Sequence, residues 1–272
     1  MARERYLVDG FDLTEGVVRD VELREGLNAT AGLIGENGVV PNRSGEVWRP
    51  KRRGPSSFTL NMWTGTETGR ADVDALYDLL IRAFGDGLRL PLWTRYLADG
   101  TVRQTFGEVV SGLSPQPIGQ AAYRLAVEVR VPTGIWESTV DAVHDTTTRP
   151  ASGTQIVLTE FAGVTAPMER LSYRITGPAT NPRITDATSG IGDWFQYNGS
   201  IPNGGVLYVN SDDWTLAADN FTPNREAFFY SGPRFMTLRT PMPGGTPAVI
   251  FDYANGGTTT RLSVQGRLAF AI

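Results

Sequence analysis

The sequence predicts a mainly β protein of two β-sandwich or barrel-like domains, the first carrying one α-helix. Three observations lead there. Apolar residues alternate with polar ones in several segments, the mark of strands with one buried face. Turn formers are abundant, 31 Gly and 17 Pro among 272 residues, and they separate short strands as in a sandwich or barrel. One segment leaves the period of 2 and follows a helical spacing instead.

In chain order, Phe58, Leu60 and Met62 alternate with polar neighbours and predict the first clear strand. From 71 to 84, Val73, Leu76, Tyr77, Leu80, Ala83 and Phe84 fall on one face of a helix. Asp72 and Asp74 suit its first turn, where the helix dipole favours anions. Gly85 and Gly87 can supply the left-handed residue that ends it. Tyr123, Leu125, Val127, Val129 and Val131 then alternate with Arg124, Glu128 and Arg130, a strand with one wet face. The stretch 137–152 is polar and weakly periodic, and reads as a linker between a domain at 1–136 and another at 153–272. In the second domain Leu171, Tyr173 and Ile175 alternate with polar residues, as do Leu262, Val264, Leu268, Phe270 and Ile272. At about 100–200 residues per domain the length suits two domains, each large enough to bury a core without disulfides or metals.

Composition removes whole classes of chemistry. The chain has no Cys, one His (His144), one Lys (Lys51) and a net charge of −4. Cys nucleophiles, disulfides and Cys-ligated metals are excluded, and so is a zinc helix, which needs two His. A Ser-His-Asp triad would have to use His144, which reads as a solvated linker residue. No cofactor and no enzymatic activity are expected. No apolar run approaches the ~20 residues of a membrane span, and no signal-peptide core follows the charged start Met1-Ala2-Arg3-Glu4-Arg5. A soluble protein with no membrane partner is the expectation.

The nucleotide and nucleophile motifs fail on their residues. Lys51 lacks the glycines of a P-loop, and Phe195 stands where a GxGxxG begun at Gly190 would need its last glycine. No GxSxG is present. Asp212-Asp213 reads as a turn at a strand end, since its spacing is not that of a calcium loop. Glycoside hydrolysis needs only two carboxylates. Glu160, Glu169, Asp186, Asp193, Asp212 and Asp213 are available, but nothing in the sequence pairs any two of them.

Two features remain as candidate contact sites. Arg49-Pro50-Lys51-Arg52-Arg53 is a basic run in a half-chain of net charge −1, bracketed by Pro50 and Pro55. Duplex binding normally shows a net basic domain, so the run reads as a loop or hairpin tip that meets solvent or another subunit. With Asn42 and Arg43 it forms the predicted subunit-contacting arm, within 38–56. Aromatic residues gather in the second half, and Trp194, Tyr197 and Trp214 are the candidates for stacking on a ligand such as a sugar. Core packing is the competing role for them.

Several segments together resemble the distal tail (minor tail) proteins of long, flexible-tailed bacteriophages. In the first half these are Val39-Val40-Pro41-Asn42-Arg43-Ser44-Gly45, the strand 57–63 leading into the helix, the turn Ala98-Asp99-Gly100-Thr101, the segment 107–113, the strand 123–131 and its exit Val131-Pro132-Thr133-Gly134-Ile135-Trp136. In the second half they are Ile175-Thr176-Gly177-Pro178-Ala179-Thr180-Asn181-Pro182-Arg183-Ile184, then Thr188-Ser189-Gly190, 194–199, 204–210, 235–238 and 261–272.

The resemblance implies an N-terminal β-domain with one helix and a galectin-like C-terminal sandwich. It implies a ring, hexameric in this family, closed through the N-terminal domains and joining the tail tube to the tip complex. DNA would pass in transit through the lumen. The partners implied are further copies of the chain, the tail tube protein, and hub or receptor-binding proteins of the tail tip. The location implied is the virion tail tip, after assembly in the host cytoplasm. The alternative kept open is a carbohydrate- or receptor-binding module that uses the second domain.

Overall fold

The computed structural model describes residues 4–14, 18–27, 32–34, 38–39, 46–47, 52–66, 69–84, 88–111, 113–188, 192–231, 236–239 and 245–271. The architecture is mainly β, as the sequence predicts, with one α-helix among the described residues. The chain divides into two compact units, Met1–Thr139 with Ala271–Ile272, and Val140–Phe270.

The first unit is built around the strand Ser56–Gly65. Its register with Ala122–Val131 sets Phe58, Leu60 and Met62 beside Val129, Val127 and Leu125, and all six are buried. Arg19–Glu25 pairs on the other side, with a register shift between Val21 and Leu23. Glu108–Val109 and Gln116–Ile118 both pair with Ala122–Val131. A second group of strands runs Phe11–Asp12, Arg5–Val8, Leu92–Tyr96, Val102–Phe106, and then the start of Ile135–Asp145. Trp93 and Trp136 come from this group and close on Phe58, with ring centroids 5.7 and 5.6 Å away.

The helix spans Arg70–Ala83, one residue earlier at each end than the 71–84 of the sequence pattern. It lies against Ser56–Gly65 and Ala122–Val131. Val73 and Leu80 are fully buried, and Phe84 just beyond the last turn stacks on Trp93 at 6.0 Å. Asp72 occupies the first turn as expected. Asp74 instead accepts the Tyr123 hydroxyl at 2.7 Å and lies 3.4 Å from Arg70. Gly85 and Gly87, expected to stop the helix, lie outside the described residues.

The second unit is a two-sheet sandwich. One sheet orders the end of Ile135–Asp145, then Arg261–Ala271, Leu171–Thr176, Val206–Asn210 and Thr215–Asp219. The other orders Thr154–Val157, Ala248–Ala254, Ala179–Asp186, Trp194–Tyr197 and Phe228–Tyr230, with Ser200–Ile201 paired to Ala179–Asp186. Tyr173 of the first sheet meets Phe195 of the second edge-to-face at 5.0 Å, and both are buried.

Two expectations need correction here. The stretch 137–152, read as a polar linker, is strand as far as Asp145, within Ile135–Asp145. Its side chains are mostly half-buried or exposed, so the strand is held by its ladder and carries no apolar alternation to read. The alternation of the last strand also stops at Gly266, where its pairing with Leu171–Thr176 ends. Beyond that point the Ala269 carbonyl accepts the N–H groups of Thr165 and Ala166 at 3.0 and 3.2 Å. Ala269 and Phe270 are consequently buried side by side.

Candidate functional site

The first unit carries the features that suit assembly. Residues 32–54 hold two nested antiparallel ladders. Leu33–Ile34 pairs with Arg52–Arg53, extended by the Gly54 N–H donating to the Gly32 carbonyl at 2.7 Å. Further out, Gly38–Val39 pairs with Glu46–Val47. Both ladders match residues whose numbers add to nearly the same value, which is the register of one hairpin. Arg52 and Arg53, expected at a loop or hairpin tip, therefore stand in the inner of the two ladders. Asn42, Arg43, Arg49 and Lys51 lie outside the described residues. Ile34 on this arm is 44% exposed.

Beside the helix end lies a groove of about 810 Å³, lined by Tyr77, Ile81, Phe84, Leu88, Leu90 and Val109 among others. Leu88 is 87% exposed, and Leu79, Leu90 and Val110 are also exposed. Of these, Leu88 and Leu90 line the groove, and adjoining exposed apolar residues are better candidates for an interaction surface than scattered ones. Sequence reasoning missed it. Leu88 and Leu90 lie outside the helical pattern, and Leu79 falls between two of its positions.

The base of the first unit is pinned by a charge network. The Glu4 carboxylate accepts the Tyr6 hydroxyl at 2.5 Å, Arg24 at 2.9 Å, and Arg95 through two bonds of 3.2 Å. Burial by itself would raise the Glu4 carboxyl. The Tyr6 and Arg95 hydrogen bonds and the charges of Arg95 and Arg24 outweigh it and hold it below the usual carboxylate range. Burial and the Glu4 acceptor push the Tyr6 phenol up, so it stays a proton donor.

In the second unit the three candidate aromatics separate. Tyr197 faces the core at 4% exposure, and its hydroxyl accepts the Asn224 N–H at 3.2 Å. That burial is at odds with a ligand-facing role. Trp214 sits in the turn before Thr215–Asp219 with φ +59°, 48% exposed, and its ring meets Tyr230 edge-to-face at 5.0 Å. Trp194 lies on the outer face of its sheet, with the Arg183 guanidinium 4.3 Å from its ring centroid.

Several hydrolase candidates are engaged in local contacts. Asp213 accepts the Thr215 N–H and hydroxyl at 3.1 and 2.7 Å, the turn the sequence suggested. Asp212 pairs with Arg170 at 3.3 Å, and Asp193 with Arg239 at 3.0 Å. His144, which the sequence alone presents as a solvated linker residue, has a partner in the fold. Its Nδ1 lies 2.5 Å from Glu160 Oε2, a contact that needs the fold to bring 144 and 160 together.

Among family models and among curated proteins, none matches this chain. Among solved structures, the chain is similar to the crystal structure of the SPP1 Dit (gp 19.1) protein, described as a paradigm of the hub adsorption apparatus in phages infecting Gram-positive hosts. The identity is 12%, the TM-score 0.63, and the match covers 99% of this chain and 100% of that one. Structures of the phage p2 baseplate in its activated conformation, with Sr or with Ca, match at TM-score 0.43, with 8% and 7% identity. Each covers 97% of this chain and 98% of the other. At these identities the first likeness establishes a shared fold.

Proposed function

We propose that the chain is a structural virion protein, a distal tail component whose copies close into a ring, six in number. The ring joins the tail tube to the tail tip or baseplate, and DNA crosses its lumen in transit. The observation that carries this is the end-to-end fold likeness to SPP1 Dit, which spans both units in one alignment. A head-to-tail interface that closes on itself needs two different surfaces on each copy. The hairpin arm within 32–54 and the apolar groove beside Phe84 are two such surfaces on the first unit. In this arrangement the arm of one copy lies in the groove of the next, which covers Leu88 and Ile34 together. The ring-forming half is 1–136 and the outward-facing half is 153–272. The work is done by shape and symmetry, without catalysis or cofactor. The partners are further copies, the tail tube protein and the hub or receptor-binding proteins of the tip. The chain assembles in the host cytoplasm and resides at the virion tail tip.

The test is to replace residues 35–51 by an Asn-Gly turn, which keeps the Leu33–Ile34 and Arg52–Arg53 ladder, removes the one further out and suits a two-residue hairpin loop. Light scattering should then find a folded chain that no longer forms the ring. A ring of undiminished stability in that variant overturns the role of the arm. A Leu88→Asp variant tests the groove in the same way.

A further inference from the structure

We infer that Asp78, in the apolar groove beside the helix, is the acceptor for the basic arm of a second copy, so that charge decides which surfaces meet at each joint of the ring. The inference rests on the arm-in-groove reading and adds the residue that selects the arm. Asp78 lies on the helix Arg70–Ala83 and lines the groove with Ile81, Phe84, Leu88 and Leu90. It is exposed, and its carboxylate makes no hydrogen bond or ion pair among the described residues. Arg82, one turn further along the helix, does not close on it. The other charged groups of the groove are engaged, Arg89 with Asp9 at 2.8 Å and Glu108 with Arg130 at 3.5 Å.

An unpaired carboxylate at an apolar groove constrains whatever covers the groove. A wholly apolar occupant would strip water from the carboxylate and give nothing back, a cost that an opposite charge offsets. The occupant therefore brings a cation beside apolar surface. Residues 32–54 hold five basic residues, Arg43, Arg49, Lys51, Arg52 and Arg53, against Glu36 and Glu46, a net charge of +3. The rest of 1–136 has a net charge of −4. Two copies thus meet with like charge over most of the first unit, and with opposite charge where the arm of one reaches the body of the other. The arm also offers Ile34, an exposed apolar residue, to the groove's leucines. Four of its five cations are Arg, whose planar fork can engage both oxygens of one carboxylate.

Arm and groove belong to the same chain, so one charge rule repeats at every joint. Head-to-tail contact satisfies it, whereas groove on groove or arm on arm sets like charges together. The joint is partly electrostatic and should loosen as salt screens it.

The experiment uses two full-length variants, Asp78→Arg and the double substitution Arg52→Glu with Arg53→Glu. Reversing both neighbours covers either face of their ladder. Each variant alone sets like charges at every joint, so by light scattering its ring should need a protein concentration roughly tenfold or more above the parent's. Mixed in equal amounts, each altered surface meets the other, and rings should return with the two chains alternating. Native mass spectrometry should then find equal numbers of the two chains in every ring. Recovery on mixing also shows that both variants fold. Salt should loosen the parent ring, and Asp78→Asn should lose part of that dependence. A parent-like ring from either variant alone overturns the inference. So does a mixture that assembles no better than its components, or one whose rings have random composition, or an Asp78→Asn ring with the parent's salt dependence. Rings lost on removing 35–51 or in Leu88→Asp, but kept in Asp78→Arg, overturn the assignment of Asp78 and leave the arm-in-groove reading standing. An Asp78→Arg chain that closes rings normally and no longer binds the tail tube protein gives Asp78 to that partner, and overturns the inference too. A parent chain that forms no ring overturns both readings.

Discussion

Glu4 shows how one side chain can hold several strands. Three donors from Tyr6, Arg24 and Arg95 converge on its carboxylate, and Arg95 is nearly buried. Glu4→Gln leaves two guanidinium groups facing a neutral amide and should cost about 2 kcal/mol, measured as a fall in thermal stability at pH 7. The folded carboxyl is held low. Its contribution is therefore complete above the unfolded carboxylate value and is lost as pH falls through the lower folded value. The parent and Glu4→Gln melting curves should converge in that acid window. The His144–Glu160 pair follows the same sign, because the His144 hydrogen bond lowers the Glu160 carboxyl. Glu160 is largely exposed, so Glu160→Gln should change stability by less than about 1 kcal/mol. Gly177 has a different role. A Cβ there would run into the carbonyl oxygens of Pro202 and Ile201, the latter at 2.8 Å. The sequence marks it as a turn glycine, but close backbone approach is what requires it. Gly177→Ala should destabilise the second unit by about 1–3 kcal/mol, read by thermal melting.

At the scale of elements, the helix and the strands with one wet face were legible because a single periodicity governs each. Val73, Leu80 and Phe84 are buried as the 3.6-residue spacing predicts, and Leu125, Val127, Val129 and Val131 as alternation predicts. Leu80→Ala should cost about 2–5 kcal/mol, the usual range for truncating a packed leucine, and urea unfolding of the first unit will show it. Ile135–Asp145 was not legible, since its ladder partners hold it and its side chains carry no stripe. Nor was the outward row in which Asp252, Arg183 and Gln196 become neighbours across the second unit's six-stranded sheet. Polar residues at outward positions look alike in sequence, and only register shows which of them become neighbours. The hairpin within 32–54 was half legible. Pro50, Pro55 and the basic run pointed to a hairpin tip or loop, but no alternating apolar residues reveal its two short ladders.

For the whole molecule, the counts of no Cys and one His first served to exclude chemistry. The fold gives them a positive meaning, that of two β units stabilised by their own cores. The segments that resemble distal tail proteins are turns and strand starts spread along the chain. Individually they carry little; the fold likeness to SPP1 Dit is a separate observation and covers 99% of the chain. The ring is the central claim, and its most direct test is the solution mass of the purified chain across a concentration series, with negative-stain images of the same sample. The account predicts a six-chain species seen end-on as a ring with an open lumen. A chain that stays monomeric at every concentration, or stops at a two-fold dimer, would contradict it.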